Sequence, residues 1–388
     1  MAYKPSFVYP LRPEEYAAQP VPSLNDYKEL WASWDTLALK MIPKDLLLEK
    51  PIKLRNACIF YLGHIPTFLD IHLTRATKEA ATEPSYYPKI FERGIDPDVD
   101  DPSQCHSHSE IPDEWPPADE IISFQQRVRK RTEALYKSGA ADHDHATRKA
   151  LWIGFEHEAM HLETLLYMLV QSEKTLAPSG AVKPDFEAMA HEASTKATDN
   201  QWFKVPARKI TLGMDDDDAD AVTQRVFGWD NEKPSRTAEV PAFEAKARPI
   251  TNGEYVDYME KQGISKIPSS WAETTSSNAH ANGNSNGHVN GHQTNGNSGA
   301  SLLGRKAVRT VFGPVPLKLA LDWPVMASYD ELAGCAKWMG GRIPAMEEVR
   351  SIYEYVEELK SKEFENALQG TIPAVNRYVS LSLCLNTH

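Results

Sequence analysis

Apolar residues recur every three or four positions through four long segments of the first 170 residues, the spacing of helices that each bury one face. "DYKELWASWDTLALKMI" and "ADEIISFQQRVRKRTEALYKSG" both carry it, and the second ends in Gly139, a residue suited to stopping a helix. "LRNACIFYLGHIPTFLDIHL" is a third helical segment, in which Pro66 either kinks the helix or marks where it begins. "HATRKALWIGFEHEAMHLETLLYMLVQ" is the fourth and clearest. Behind an N-terminal extension of residues 1–23, the pattern predicts an antiparallel four-helix bundle over residues 24–172. The core of such a bundle is a usual place for metal ligands projected from facing helices.

The pattern changes after Ser172. A polar, Pro-containing stretch predicts a linker over residues 173–200. Short strand-like pieces follow, "WFKVPARKITLGM" and "RTAEVPAFEAKARPI", and later two helices around "SYDELAGCAKWMGG" and "MEEVRSIYEYVEELK". Residues 201–388 are therefore expected to form an α+β domain. Within it, residues 276–300 read "SSNAHANGNSNGHVNGHQTNGNSGA". Such a segment cannot bury enough apolar surface to offset its ordering entropy, so a disordered insertion is predicted, with His280, His288 and His292 solvated.

Composition narrows the setting. At 388 residues the chain is long for one core, which agrees with two domains. No apolar run approaches the roughly 18 residues of a membrane helix, and the start "MAYKPSFVYPLRPEEY" has no signal-peptide core. The four cysteines, Cys58, Cys105, Cys335 and Cys384, form no C-x-x-C pair and are expected to be reduced thiols. A cytoplasmic location is expected, with the nucleus as the alternative. The net charge of -12 argues against nucleic acid as a partner.

Against this background "GFEHEAMHLET" stands out. His157 and His161 lie four apart, so a helix presents both imidazoles to one side, next to the small residues Gly154 and Ala150 that would leave room beside an ion. His157-Glu158-x-x-His161 is formally the H-E-x-x-H of a zinc peptidase, which needs Glu158 as base and a further ligand downstream. Glu187 and Glu192 are the carboxylates on offer, in a loop-like stretch. In a bundle the third ligand comes from another helix, and "YLGHIPTFLD" offers His64, with His72 as its rival. Three imidazoles on one side leave open positions suited to iron(II). "CHSHSE" (Cys105, His106, His108) and "DHDHA" (His143, His145) read first as loop residues. Arg127, Arg129 and Arg131 in "QRVRKR" are candidates for holding a substrate carboxylate, against a plain solvated helix face. "DDDD", Asp215 to Asp218, reads as a charged turn before a calcium site.

"LGHIPTFLD" followed by "HEAMHLET" resembles the DinB-like bundle of the sulfoxide synthases of ergothioneine biosynthesis. "ITLGM", "FGWDNEKP", "PITNGEY" and "GGRIPAMEEV" are similar to the opening motifs of the formylglycine-generating-enzyme-like (sulfatase-modifying-factor) domain, a C-type-lectin-related fold that those enzymes fuse to the bundle. "RGIDPDVDDPSQCHSHSEIPDEWP" resembles the fungal branch. The resemblance implies an iron(II)- and O2-dependent enzyme that joins hercynine to cysteine, or to gamma-glutamylcysteine, as a sulfoxide. It also implies that His64, His157 and His161 hold the iron and that Glu163 orients a ligand. Fungal relatives usually carry a methyltransferase that makes hercynine; nothing precedes Met1, so a separate histidine methyltransferase is expected to supply it. The family's later motifs, G-N-x-W-E-W, G-G-S and a closing G-F-R, have no counterpart before the ending "NRYVSLSLCLNTH". An incomplete lectin-like domain is expected, and with it the alternative of a non-catalytic remnant that binds iron or thiols.

Overall fold

In a computed structural model, the chain is described over residues 21–53, 55–92, 95–97, 105–107, 111–215, 227–274, 302–362 and 385–386. It divides into two compact units. The first comprises residues 1–181 with 209–239, the second 182–208 with 240–388. The insertion at 276–300, His108 and Asp216 to Asp218 lie outside the described residues, as does most of the N-terminal extension.

The first unit holds α1 (Leu24–Thr36), α2 (Cys58–Thr77), α3 (Tyr87–Phe91), α4 (Ala118–Ser138), α5 (Ala140–His143) and α6 (His145–Leu169), with a short β1–β2 pair (Ile95–Pro97 and Cys105–Ser107) between α3 and α4. Local chemistry sets their ends. Ser23 and Asp26 form a capping box at α1, with Ser23 N donating to Asp26 Oδ2 at 2.7 Å. Asp144 caps α6 by accepting from Thr147 N at 2.8 Å. Gly139, at φ 78°, ends α4 in the left-handed conformation that a side chain would resist. Pro66 neither starts nor ends α2, which runs through it as a buried member.

α2 packs chiefly along α6 and α4. Tyr27, Trp34, Leu73, Phe91, Ile121, Phe124, Leu151 and Leu169 fill the centre, each less than 2% exposed. α2 and α6 meet closely because Gly154 has no side chain: a Cβ there would lie 2.5 Å from Leu69 Cδ1. The room expected beside an ion at Gly154 is therefore taken by Leu69.

The three arginines of α4 are tied to the unit itself. Arg127, exposed, donates to the Glu83 carbonyl at 2.8 and 3.2 Å. Arg129, buried, forks onto Asp35 at 2.8 and 2.9 Å. Arg131 donates to Asp70 Oδ1 at 2.9 Å, and Asp70 also accepts from Thr82 N and Thr82 Oγ1.

Residues 173–200, expected as a linker, contain a helix, α7 (Phe186–Thr195), capped by Asp185, which accepts from Ala188 N at 2.9 Å. β3 (Trp202–Val205) and β4 (Arg208–Leu212) follow, then β5 (Arg236–Val240), β6 (Phe243–Lys246), α8 (Asn252–Gln262), β7 (Trp271–Glu273), β8 (Lys306–Val308), β9 (Val315–Pro316), α9 (Tyr329–Trp338), β10 (Gly341–Arg342), α10 (Met346–Lys362) and β11 (Leu385–Asn386). β3 pairs antiparallel with β6, Trp202 opposite Lys246, in a sheet of order β10-β11-β6-β3; β7, β8 and β9 form another, and β4 pairs with β5. In the second unit Trp271, Tyr255, Met259, Leu317, Val325 and Cys335 share a core, and Trp271 Nε1 donates to Asn252 Oδ1 at 3.1 Å.

Asp70 packs with its charge matched by Arg131, so Asp70→Ala takes the nearest and best-buried carboxylate from a nearly buried guanidinium and leaves it the Thr74 and Thr77 hydroxyls and the exposed Glu79 at 3.8 Å. Such losses cost about 3–5 kcal/mol, whereas Arg127→Ala, at an exposed site, is expected to cost no more than about 0.5 kcal/mol. Urea unfolding of the two variants checks the difference.

Candidate metal centre

Among the described residues, one group of metal-binding side chains converges: His64 of α2 with His157 and His161 of α6, whose ligand atoms all lie within 4.8 Å of one another. The ring centroids form a nearly regular triangle, 4.8 Å from His64 to His157, 4.9 Å from His64 to His161 and 4.5 Å from His157 to His161. The planes stand at 68°, 89° and 74° to each other, so the rings meet edge to face rather than stacking. The four-residue step on α6 produces the pair, and the close approach of α2 brings the third ring opposite.

α2 also supplies an aromatic neighbour for each ring. Phe60 stacks on His64 at 5.0 Å and 18°, and Phe68 on His157 at 3.7 Å and 11°, while Tyr61 lies tilted 5.8 Å from His161. Phe60, His64 and Phe68 follow one another at steps of four, a stripe that was available in the sequence and that marks this face as built around the imidazoles.

Polar support is uneven. The Phe91 carbonyl lies 2.6 Å from His64 Nδ1; a carbonyl can only accept, so Nδ1 carries the proton and Nε2 keeps its lone pair. Thr164 Oγ1 is 3.4 Å from His161 Nδ1. Glu163, expected to orient a ligand, is exposed. His157 Nδ1 is buried and has no hydrogen-bond partner among the described residues.

The remaining candidates lie elsewhere. His72 is kept apart from His157 by Phe68, whose ring is 4.5 Å from it. His143 is exposed, His145 packs on Phe227, and of Cys105 and His106 the backbone forms β2. Asp215 accepts from Ser235 N and Oγ. Glu158, one step round the helix from His157, is buried on another face with Arg129 Nη2 at 3.9 Å; it is not among the converging groups. Glu187 and Glu192 are exposed on α7, in the second unit. Among the described residues, the arrangement needed for a zinc peptidase, with a glutamate base beside the metal, is not made.

The description "DinB superfamily" matches residues 26–165, the span that contains all three histidines. Over 375 residues, 96% of this chain, the sequence is 54% identical to "Ergothioneine biosynthesis protein 1" of Neurospora crassa, of which 43% is covered. It is 33% identical over 369 residues to the protein of the same name in Schizosaccharomyces pombe, covering 88% of this chain and 43% of that protein. The chain belongs to the family of ergothioneine biosynthesis proteins. It spans less than half the length of these two relatives.

In this family member the three rings suit a metal ion. Burial holds His64 down at about 4 and His161 at about 3, and burial together with the neighbouring imidazoles holds His157 well below its ordinary value. All three are therefore neutral at pH 7 and offer lone pairs without first losing a proton. A cation between them would meet three nitrogen donors, one from a ring whose buried Nδ1 has no hydrogen-bond partner among the described residues. Among the described residues no helix is long and apolar enough to cross a membrane.

Replacing His64, His157 or His161 by Ala is expected to remove most bound metal, and His72→Ala to leave it in place, as read by elemental analysis of chain refolded with iron(II) or zinc. Normal metal content in His64→Ala would move the site.

Acid should destabilise the metal-free chain. Below about pH 6.5 the unfolded histidines take up protons that the folded ones refuse, so stability falls as pH drops toward 4. Glu158, pushed up to about 7 by burial, acts in the opposite sense, because folding holds a proton that the unfolded carboxyl releases above about 4.5. Four histidines held down, His72 included, outweigh two carboxyls pushed up, Glu158 and Glu156: the melting temperature should be lower at pH 5 than at pH 7, and Glu158→Gln should enlarge the drop. Thermal melts by circular dichroism at the two pH values check both signs.

Proposed function

We propose that the chain is an iron(II)- and O2-dependent sulfoxide synthase of ergothioneine biosynthesis. The observation that carries this reading is the triangle of three buried, neutral imidazoles in a chain closely related to ergothioneine biosynthesis proteins. The reaction would join the imidazole carbon of hercynine to the sulfur of cysteine or gamma-glutamylcysteine. One C–H, one S–H and O2 become a carbon–sulfur bond, a sulfoxide oxygen and one water, so the four electrons taken from carbon and sulfur reduce the dioxygen. Iron(II) held by His64, His157 and His161 supplies a Lewis-acidic, redox-active centre at which a thiol is made acidic.

The protein's share is positioning. His64, with its proton directed to the Phe91 carbonyl, presents Nε2 inward. Phe60, Tyr61 and Phe68 exclude water from the backs of the rings. The Asp35–Arg129–Glu158 cluster keeps the nearest carboxyl turned away from the donors. Arg127, Arg129 and Arg131 already have partners in the protein, which supports a structural role for them over capture of a substrate carboxylate. In this reading the second unit is a formylglycine-generating-enzyme-like domain, and the protein works in the cytoplasm.

The test is to incubate purified chain with iron(II), oxygen, hercynine and either thiol, and to look for the sulfoxide by mass spectrometry. Product is expected from the wild type and not from His64→Ala. Stoichiometric iron without product from either thiol would overturn the synthase reading in favour of an iron- or thiol-binding protein.

A further inference from the structure

Of the three imidazoles, His64 is fixed by a hydrogen bond and His161 has Thr164 within reach, but among the described residues His157 has no polar partner on its buried Nδ1. Packing must set its plane. On one side is Phe68, nearly parallel at 3.7 Å. The other contributor comes from far along the chain. The indole of Trp229 lies 6.0 Å from Phe68 at 25° and 6.3 Å from His157 at 33°, so it covers the stacked pair from the flank, almost equidistant from both rings.

Trp229 is itself held. Its Nε1 donates to Glu156 Oε2 at 2.8 Å, next to His157 in sequence, and its backbone N donates to Glu232 Oε2 at 2.9 Å. Phe227, 1% exposed, packs on His145 and Trp152. His145, Trp152 and Glu156 are spaced by seven and four, one stripe of α6, and the segment from Phe227 to Trp229 lies along it. The turn that carries the indole is backed by Gly213, at φ 74°, where a Cβ would come within 2.4 Å of the Glu232 carbonyl, and Met214 N donates to that carbonyl at 2.9 Å. These contacts all fall within the first unit.

We infer that Trp229, anchored on Glu156, is a positioning residue for His157: with Phe68 it confines the one metal-site imidazole that no hydrogen bond orients. The inference rests on the metal reading of the three-histidine group. Partners that orient ligand rings typically contribute a factor of roughly 10–100 in metal affinity, and here an aromatic flank takes the place usually held by a carboxylate or carbonyl.

Cobalt(II) binding to the full metal-free chain tests this, followed by ligand-field absorption against a competing chelator. Trp229→Ala and Glu156→Ala are each expected to weaken binding by roughly 10–100-fold and to alter the cobalt spectrum. Glu156→Gln, whose amide oxygen still accepts the indole proton, should restore both to near the wild-type values. If Trp229→Ala fails to fold cooperatively, the Glu156 pair decides. Wild-type affinity and an unchanged spectrum in folded Glu156→Ala and Trp229→Ala would overturn the inference while leaving the metal site intact. A wild-type chain with no cobalt spectrum dependent on His64 would overturn both.

Discussion

A buried imidazole has two nitrogens that water no longer serves, and three of them within 5 Å of each other can coexist only if all stay uncharged. That constraint governs the first unit. Neutrality follows from burial, and burial follows from α2 and α6 approaching closely enough for Leu69 to occupy the space over Gly154. On the other side of α2, a Cβ at Gly63 would lie 2.4 Å from the Phe91 ring, the residue whose carbonyl accepts from His64. Small residues beside the histidines thus serve the approach of neighbouring groups, and the pocket for an ion is bounded by aromatic rings.

Charge is handled away from this centre. Arg129 with Asp35 and the partly protonated Glu158, and Arg131 with Asp70, gather buried ionisable groups of the unit into clusters on other helix faces. Glu158 illustrates the separation. It follows His157 directly, yet the 100° turn of the helix carries its carboxyl to Arg129. One residue's rotation distinguishes a histidine-only donor set from the peptidase arrangement that the same letters spell.

The sequence was most informative where periodicity is strong. The helices expected from "ADEIISFQQRVRKRTEALYKSG" and "HATRKALWIGFEHEAMHLETLLYMLVQ" run over Ala118–Ser138 and His145–Leu169, whereas periodicity could not separate His64 from His72, which share one stripe with Phe60 and Phe68; the family resemblance pointed to His64. α7 was not legible, since it buries no residue and so leaves no apolar stripe to read. Nor could periodicity reveal that residues 209–239 group with the helical unit, because Phe227 and Trp229 act by tertiary contact. The arginines looked like a free basic run for a related reason: their partners Glu83, Asp35 and Asp70 lie 44 to 94 positions away.

In the proposed centre three imidazoles from two helices bind one iron. X-ray absorption at the iron edge, on anaerobic chain loaded with one equivalent of iron(II) and no thiol, measures this most directly. It should show a nitrogen/oxygen first shell with outer-shell scattering from three imidazoles, reduced to two in His64→Ala. Sulfur in the first shell, or imidazole scattering unchanged by His64→Ala, would contradict it.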